Sequence, residues 1–176
     1  MEATRAHSID GEKFEIYPNR DSVPFIERYR MRWPLDTFVR GTVRLDGWRE
    51  AWTDVFPVPS DDSRLDVVAA DLARAHPMTE NDLDRVILSV ALEVVAEGEV
   101  RWSGEYLLDT IGDRTDTAMA RTVSVTLACG VLDILTRTTT PGLHCAADDA
   151  DSALRWLAFL RDHGVVCEFR QVDKPR

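Results

Sequence analysis

The sequence has few cysteines and no run of residues that would place it in a membrane or in a secreted, disulfide-rich class. Its three cysteines include no C-x-x-C pair and are an odd number, unlike a disulfide framework. No apolar run approaches the roughly 18 residues that a membrane-spanning helix requires. Glu2, Arg5 and His7 are not followed by the apolar stretch of a secretory signal. We therefore predict a cytoplasmic protein that does not bind membranes.

Signatures of common enzyme classes are also absent. The sequence contains no G-x-x-x-x-G-K-S/T phosphate loop, no G-x-G-x-x-G after a strand and no G-x-S-x-G nucleophile elbow. Carboxylates are plentiful, but their spacing singles out no acid and base pair. These absences predict that the chain is not an enzyme and that it needs no cofactor.

Acidic residues outnumber basic ones by 31 to 21, which gives a formal net charge of −10. Residues 1–52 carry nine residues of each sign, so the rest of the chain accounts for the whole net charge. Non-specific affinity for DNA comes mainly from Lys and Arg that neutralise phosphates. The charge of the second part of the chain therefore disfavours DNA at long range.

The segment from Val100 to Ala146 has the most informative pattern of apolar residues and glycines. Met119, Val123 and Leu127 recur every four residues and predict an apolar helix stripe that faces the core. The predicted order of elements is a helix over 79–97, a short strand over 100–102, a helix over 103–111 ended by Gly112, a helix over 115–129 ended by Gly130, and a hairpin over 131–146.

This order resembles the winged helix-turn-helix superfamily. The resemblance implies an α+β fold with a winged helix-turn-helix core at 61–147, whose second helix enters the major groove and whose hairpin forms the wing. It implies a transcriptional regulator that binds double-stranded DNA. The residues that it places toward DNA are Arg101, Arg114, Thr117, Arg121, Ser124, Val125, Arg137 and Thr138.

The acidic charge leaves a second interpretation open. Asp113 and Asp116 stand at the start of the predicted recognition helix, where capping is their expected role and where they disfavour a phosphate. The same fold then serves as a protein–protein interaction module, such as an assembly subunit, an antitoxin, an immunity factor or an inhibitor. A continuous positive stripe of arginines would favour DNA, and arginines scattered among aspartates would count against it.

Two segments flank the predicted core. Residues 1–60 predict an irregular, partly β extension, with Pro57–Asp62 as the clearest linker, and residues 148–176 predict a helix capped by aspartates and a closing strand. Local patterns in residues 13–77 indicate a strand at Lys13–Tyr17, a turn at Asp46–Gly47, a short helix lined by Trp48, Trp52 and Phe56, and a helix over 63–75 that ends at His76–Pro77. Large apolar side chains in both segments predict a surface for a homodimer or for a protein partner. The residues proposed for that surface are Trp33, Trp48, Trp52, Trp156 and Phe159.

A zinc site is a minor alternative. His144, Cys145, His163 and Cys167 are donors that zinc prefers, and four of them could form a tetrahedral site. Adjacent residues on a strand point to opposite faces, however, so His144 and Cys145 could not both bind one ion without a bulge. We therefore expect no metal site.

Overall fold

The structure is a computed structural model that describes residues 3–19, 21–53, 55, 64–147 and 149–171. The chain divides into two compact units, Met1–Met78 and Thr79–Arg176. This subdivision differs from the three segments drawn from the sequence with boundaries at 60 and 147. The predicted linker, Pro57–Asp62, lies outside the described residues.

The first unit contains the elements β1 (Arg5–Ile9), β2 (Glu12–Pro18), α1 (Pro24–Arg28), β3 (Gly41–Leu45), α2 (Trp48–Ala51) and α3 (Leu65–Ala75). Its three strands form an antiparallel sheet in the order β1-β2-β3. Asp10 and Gly11 join β1 to β2 with φ values of 53° and 82°, the positive values that a two-residue type I′ turn requires. Ile9 and Phe14, which are 3% and 2% exposed, form the core of this unit.

Local patterns predicted several elements of the first unit. The strand predicted at Lys13–Tyr17 lies within β2, and the short helix predicted around the two tryptophans is α2. The helix predicted over 63–75 is α3, which ends with His76 as its C-cap ahead of Pro77. These elements are confirmed because alternation, helical spacing and proline act within a few residues.

The second unit contains β4 (Arg85–Ala96), β5 (Glu99–Ile111), α4 (Ala118–Leu135), α5 (Ala150–Asp162) and β6 (Glu168–Gln171). Its strands form an antiparallel sheet in the order β4-β5-β6. The predicted C-terminal helix is confirmed as α5, with Asp149 as its N-cap. The buried apolar residues of this unit are Leu107, Leu108, Ala118, Cys129 and Val165.

The helices predicted over 79–97 and 103–111 are wrong, because these residues form the long hairpin of β4 and β5. Val86, Val90 and Val94 lie four residues apart, a spacing that keeps side chains on one face of a strand as well as of a helix. The turn decides between the two. Glu97 and Gly98 have φ values of 56° and 75°, so the residues interpreted as a helix end form a two-residue hairpin turn.

The predicted recognition helix and wing are wrong as well. Helix α4 continues through Gly130 to Leu135, so residues 131–135 are helical, and the described residues 136–147 contain no strand. A Cβ at Gly130 would lie 3.4 Å from the ring of Trp156, so this glycine provides room for α5 rather than ending α4. Of the three predicted core helices, only the one at α4 is present, and the described residues after it form no wing. The chain therefore does not have the winged helix-turn-helix fold.

The apolar stripe of α4 faces solvent rather than the core. Met119, Val123 and Leu127 are 58%, 58% and 67% exposed. By length and composition alone, α4 could cross a membrane, since its 18 residues have a mean hydropathy of 1.5, which corrects the expectation that no such run exists. The helix is joined to the sheet at its start and to α5 through Trp156, so it is an integral element of the second unit.

Asp84 joins the start of β4 to the start of α4. Its Oδ1 accepts the backbone N–H of Ala118 at 2.8 Å, and its Oδ2 accepts that of Met119 at 2.7 Å. Its backbone carbonyl accepts the N–H of Gly112 at 2.9 Å. A Cβ at Gly112 would collide with this carboxylate and with the backbone of Ala118, so glycine is required at the junction. Thr117 completes the helix start by accepting the N–H of Ala120 through its side chain.

We predict that Asp84→Ala lowers the free energy of unfolding by about 2 kcal/mol, because two N–H groups of α4 lose a charged acceptor. Urea denaturation measures the change. The control is Asp66→Ala, which removes an exposed acid from the first turn of α3 and should cost only about 0.3 kcal/mol. Equal losses in the two variants would contradict this account of Asp84.

Candidate functional site

An open pocket of about 730 Å³ lies on the first unit. Its volume falls within the range of roughly 300–1,000 Å³ that is typical of small-molecule sites. Over the part of the lining that the structure describes, aromatic side chains dominate the wall and only one residue is charged. The lining residues are Ala3, Thr4, Tyr17, Pro18, Arg44, Trp48 and Trp52.

Strand register and one turn bring these side chains together. Glu15 pairs with Arg44 across β2 and β3, and Tyr17, two residues further along β2, lies on the same face of the sheet. Gly47, with φ of 84°, turns the chain from β3 into α2. Trp48 then stacks on Tyr17 with ring centroids 4.9 Å apart and planes inclined by 14°. The sequence therefore builds the pocket from two neighbouring strands and the helix that follows them.

Trp52 extends the aromatic wall by one helical turn. Its ring centroid lies 6.0 Å from that of Trp48, and 38% of the residue is exposed. The indole therefore offers an accessible apolar surface to a ligand. Offset ring pairs of this kind contribute about 0.5–1.5 kcal/mol beyond the burial of their surface, so the wall is ordered before any ligand arrives.

The charge of the pocket comes from Arg44. Its Nη2 donates to the hydroxyl of Tyr17 at 3.4 Å, and its guanidinium carbon lies 6.0 Å and 5.8 Å from the ring centroids of Tyr17 and Trp48. Its cross-strand neighbour Glu15 accepts the backbone N–H of Arg49 at 2.6 Å, at the first turn of α2. Within the described residues, no carboxylate lies within ion-pair distance of Arg44.

Most of the arginines predicted to contact DNA are in ion pairs with acids. Arg101 Nη2 and Nη1 lie 3.0 Å from a carboxylate oxygen of Glu97 and 3.3 Å from one of Glu99, and Arg114 lies 3.7 Å from Glu80. These arginines are therefore scattered among acids and form no positive stripe.

The other residues predicted to contact DNA have structural roles or lie on α4. Thr117 is the N-cap of α4, and Ser124 and Val125 lie within it. Arg137 has φ of 56° just after the helix, and Thr138 Oγ1 donates to the carbonyl of Asp133 at 3.0 Å. The loop after α4 is thus a helix terminus rather than a wing.

The acids before α4 stabilise its entry loop. Asp113 Oδ1 accepts the backbone N–H of Asp116 at 2.8 Å and that of Thr115 at 2.7 Å, together with the Thr115 hydroxyl at 2.8 Å. These hydrogen bonds favour the charged carboxylate and lower the pKa of Asp113 to about 2. Asp116 in turn lies 2.6 Å from Arg121 Nε. This cluster is explained by loop and helix-start geometry.

Of the five residues predicted for a partner surface, three belong to the first unit and two to the second. Trp48 and Trp52 line the pocket, and Trp33 is 74% exposed elsewhere in the first unit. Trp156 Nε1 donates to Asp133 Oδ2 at 2.8 Å, which is the main cause of a lowered pKa at Asp133. Phe159 stacks on His163 at 4.1 Å. Trp156 and Phe159 thus have contacts within the second unit.

The residues of the zinc alternative are not brought together into a metal site. His144 Nε2 lies 2.7 Å from the carbonyl of Thr140, and His163 Nδ1 lies 2.8 Å from that of Phe159. Over the residues that the structure describes, no three His, Cys, Asp or Glu side chains are grouped so as to hold a metal ion.

Sequence reasoning missed Tyr17 and Arg44 as parts of one site, and it missed Asp84 altogether. The alternation of β2 and β3 was visible, but the register that pairs Glu15 with Arg44 depends on how the two strands meet. Asp84 lies 34 residues before its partner Ala118, too far for a local capping pattern to identify it.

Comparisons with known proteins identify relatives of the fold. The family model of the saccharopine dehydrogenase C-terminal domain matches residues 1–165. A solved structure of apo histidine-tagged saccharopine dehydrogenase (L-Glu forming) from Saccharomyces cerevisiae is similar, with a TM-score of 0.77 and 19% sequence identity. The similarity covers 98% of this chain and 55% of that one, so this chain spans about half the length of the solved relative. No curated protein matches the sequence.

These matches correct the functional predictions made from the sequence. A winged-helix transcriptional regulator is wrong, and so is a winged-helix interaction module, because both depend on a fold that the chain does not have. The prediction of a protein unrelated to enzymes is also wrong, because the matched family is associated with a dehydrogenase. The absence of nucleotide-binding motifs was a correct reading of the sequence, but it did not justify excluding an enzyme.

We predict that Asp113 contributes fully to stability above about pH 4 and progressively less as the pH falls toward 2. Its pKa is about 2 in the folded protein and roughly 3.9 when unfolded, so this contribution is lost as the pH falls through that interval. The difference in free energy of unfolding between wild type and Asp113→Asn should be full at about pH 6 and shrink toward pH 2, because protonated aspartic acid is then as uncharged as asparagine.

Denaturant titrations across this pH range measure that difference. Asp162→Asn, at an exposed position at the end of α5, controls for the general effect of removing one negative charge. A difference between wild type and Asp113→Asn that is independent of pH would contradict the assigned hydrogen bonds.

Proposed function

Because this chain belongs to the saccharopine dehydrogenase C-terminal domain family, we propose that it is the substrate-binding and assembly part of an oxidoreductase whose dinucleotide is bound by another domain. The match over residues 1–165 is the observation that carries this proposal. Dehydrogenation needs a hydride acceptor, which enzymes commonly take from a nicotinamide dinucleotide. The chemistry of such a cofactor would have to come from outside the residues described.

The sheets of this chain do not fit a dinucleotide. Such cofactors bind at the carboxyl ends of parallel strands, next to a glycine-rich turn that opens a helix. Both described sheets are antiparallel, and the sequence has no G-x-G-x-x-G motif. The residues present therefore do not form this site, and a separate nucleotide-binding domain is part of the proposal.

The distribution of charge supports substrate binding by the first unit. A saccharopine-like substrate carries several carboxylates, which the acidic second part of the chain would repel. Residues 1–52 are balanced in charge and rich in arginine, and their charged groups include the guanidinium of Arg40, which lies over the ring of Phe25 at 3.7 Å. A carboxylate substrate is therefore better accommodated on this unit.

Ligand binding tests this proposal. We expect saccharopine to raise the melting temperature of the purified chain by roughly 3–5 °C at ten times its dissociation constant, because it binds only the folded state. NADPH should give no shift and no change in its own fluorescence on mixing. Lysine and glutamate, added separately, are the matched ligand controls. Specific NADPH binding, or no effect of saccharopine, would overturn the proposal.

The exposed stripe of α4 supports assembly as a homodimer. Met119, Val123, Leu127 and Val131 follow one another at four-residue spacing, and each is at least 45% exposed. Apolar surface of this extent is stabilised when a second helix covers it. A homodimer in the cytoplasm, as the sequence predicts, therefore belongs to the same proposal. The match to a dehydrogenase agrees with a soluble protein.

We predict that Leu127→Glu converts this homodimer into a monomer, because a buried unpaired carboxylate in the interface is strongly unfavourable. Light scattering after size-exclusion chromatography should report a mass near 19.9 kDa for the variant and about twice that mass for the wild type. Val67→Glu, at an exposed position on α3, is the matched control and should remain dimeric. A monomeric wild type would contradict the assembly role of α4.

A further inference from the structure

We propose that the pocket of Tyr17, Arg44, Trp48 and Trp52 binds a small aromatic carboxylate. This inference goes beyond the proposed oxidoreductase function and does not depend on it. It rests on the shape, charge and composition of the pocket within the first unit.

The electrostatics of the pocket select an anion. Among the described residues that line it, Arg44 is the only charged one, in a chain with a formal net charge of −10. Glu15, the nearest acid in the strand register, directs one oxygen to the backbone N–H of Arg49. The Arg44 guanidinium makes a 3.4 Å hydrogen bond to Tyr17 and lies about 6 Å from two aromatic rings, which leaves further N–H donors for a ligand.

The number of charges favours one carboxylate over a phosphate chain. A guanidinium can bind a carboxylate through two parallel hydrogen bonds, which satisfies both charges. A nucleotide would bring two or more negative charges and would find a single cation among the lining residues. The charge of the pocket therefore fits a monoanion.

The apolar wall favours an aromatic body. Trp48 and Tyr17 are already stacked on each other, and Trp52, 38% exposed, extends the wall toward solvent. A flat ring can pack on such a wall and keep its carboxylate beside Arg44, while an aliphatic amino acid would leave most of the indole surface in water. A volume of about 730 Å³ accommodates a bicyclic acid with room for water at the mouth.

Calorimetric titration with naphthalene-2-carboxylate tests the proposal. We expect measurable binding to the wild-type chain, and dissociation constants at least about ten times larger for naphthalene-2-methanol, which lacks the charge, and for glutamate, which lacks the ring. Equal affinity for either control, or no binding of the acid up to about 5 mM, would overturn the proposal.

Variants locate the binding site. Arg44→Gln should raise the dissociation constant at least about tenfold, and Arg44→Lys should recover part of the loss because it keeps the charge. Arg44 is exposed, so these changes should preserve the fold, which circular dichroism verifies. Arg5→Gln, on the opposite face of the same sheet, is the matched control and should bind as the wild type does. Unchanged affinity in Arg44→Gln would contradict the proposed site.

Titrations of saccharopine and naphthalene-2-carboxylate into the wild type and Arg44→Gln distinguish a failure of this inference from a failure of the proposed oxidoreductase function. Saccharopine binding that persists in Arg44→Gln, with naphthalene-2-carboxylate binding lost, supports a distinct aromatic site. If saccharopine competes with naphthalene-2-carboxylate for the wild-type chain, the pocket belongs to the substrate site and the inference is overturned.

Discussion

The second unit depends on the hydrogen bonds that Asp84 makes at the junction of sheet and helix. Its carboxylate accepts two N–H groups at the start of α4, and its carbonyl accepts the N–H of Gly112 at the end of β5. One residue thus links both ends of the hairpin to the first turn of the long helix. Buried N–H groups at a helix start require such acceptors, so the direction in which α4 leaves the sheet is set here.

The second unit exposes apolar side chains both on its long helix and on its hairpin. The stripe of α4 is exposed, and so are Leu88, Val90, Leu92 and Val94 on one face of β4, at 44–54%. On the other face of the hairpin, Ser89 Oγ donates to Glu105, and Arg85 pairs with Asp109. Surfaces of this kind are stabilised when further protein covers them.

Sequence patterns identified the elements whose signals are local. Proline and histidine ended α3, an aspartate capped α5, and Asp46–Gly47 turned the chain before the tryptophans of α2. The β4–β5 hairpin was predicted as helices because residues four positions apart lie on one face of a strand as well as of a helix. In the candidate site, Trp48 and Trp52 had been predicted for a partner surface, which stays a prediction, whereas Tyr17 and Arg44 join them only through the register of two strands.

The sequence by itself determined the acidic charge, the absence of a dinucleotide motif, and the helices and turns whose caps and breakers lie within a few residues. Only the tertiary structure decided that Glu97–Gly98 is a hairpin turn, that α4 passes Gly130, and that the apolar stripe of α4 faces outward. The physical reason is that each of these outcomes depends on a partner distant in sequence. The local preferences visible in a short stretch of sequence are outweighed by three long-range contacts. These are the backbone pairing with β5, the ring of Trp156 and the carboxylate of Asp84.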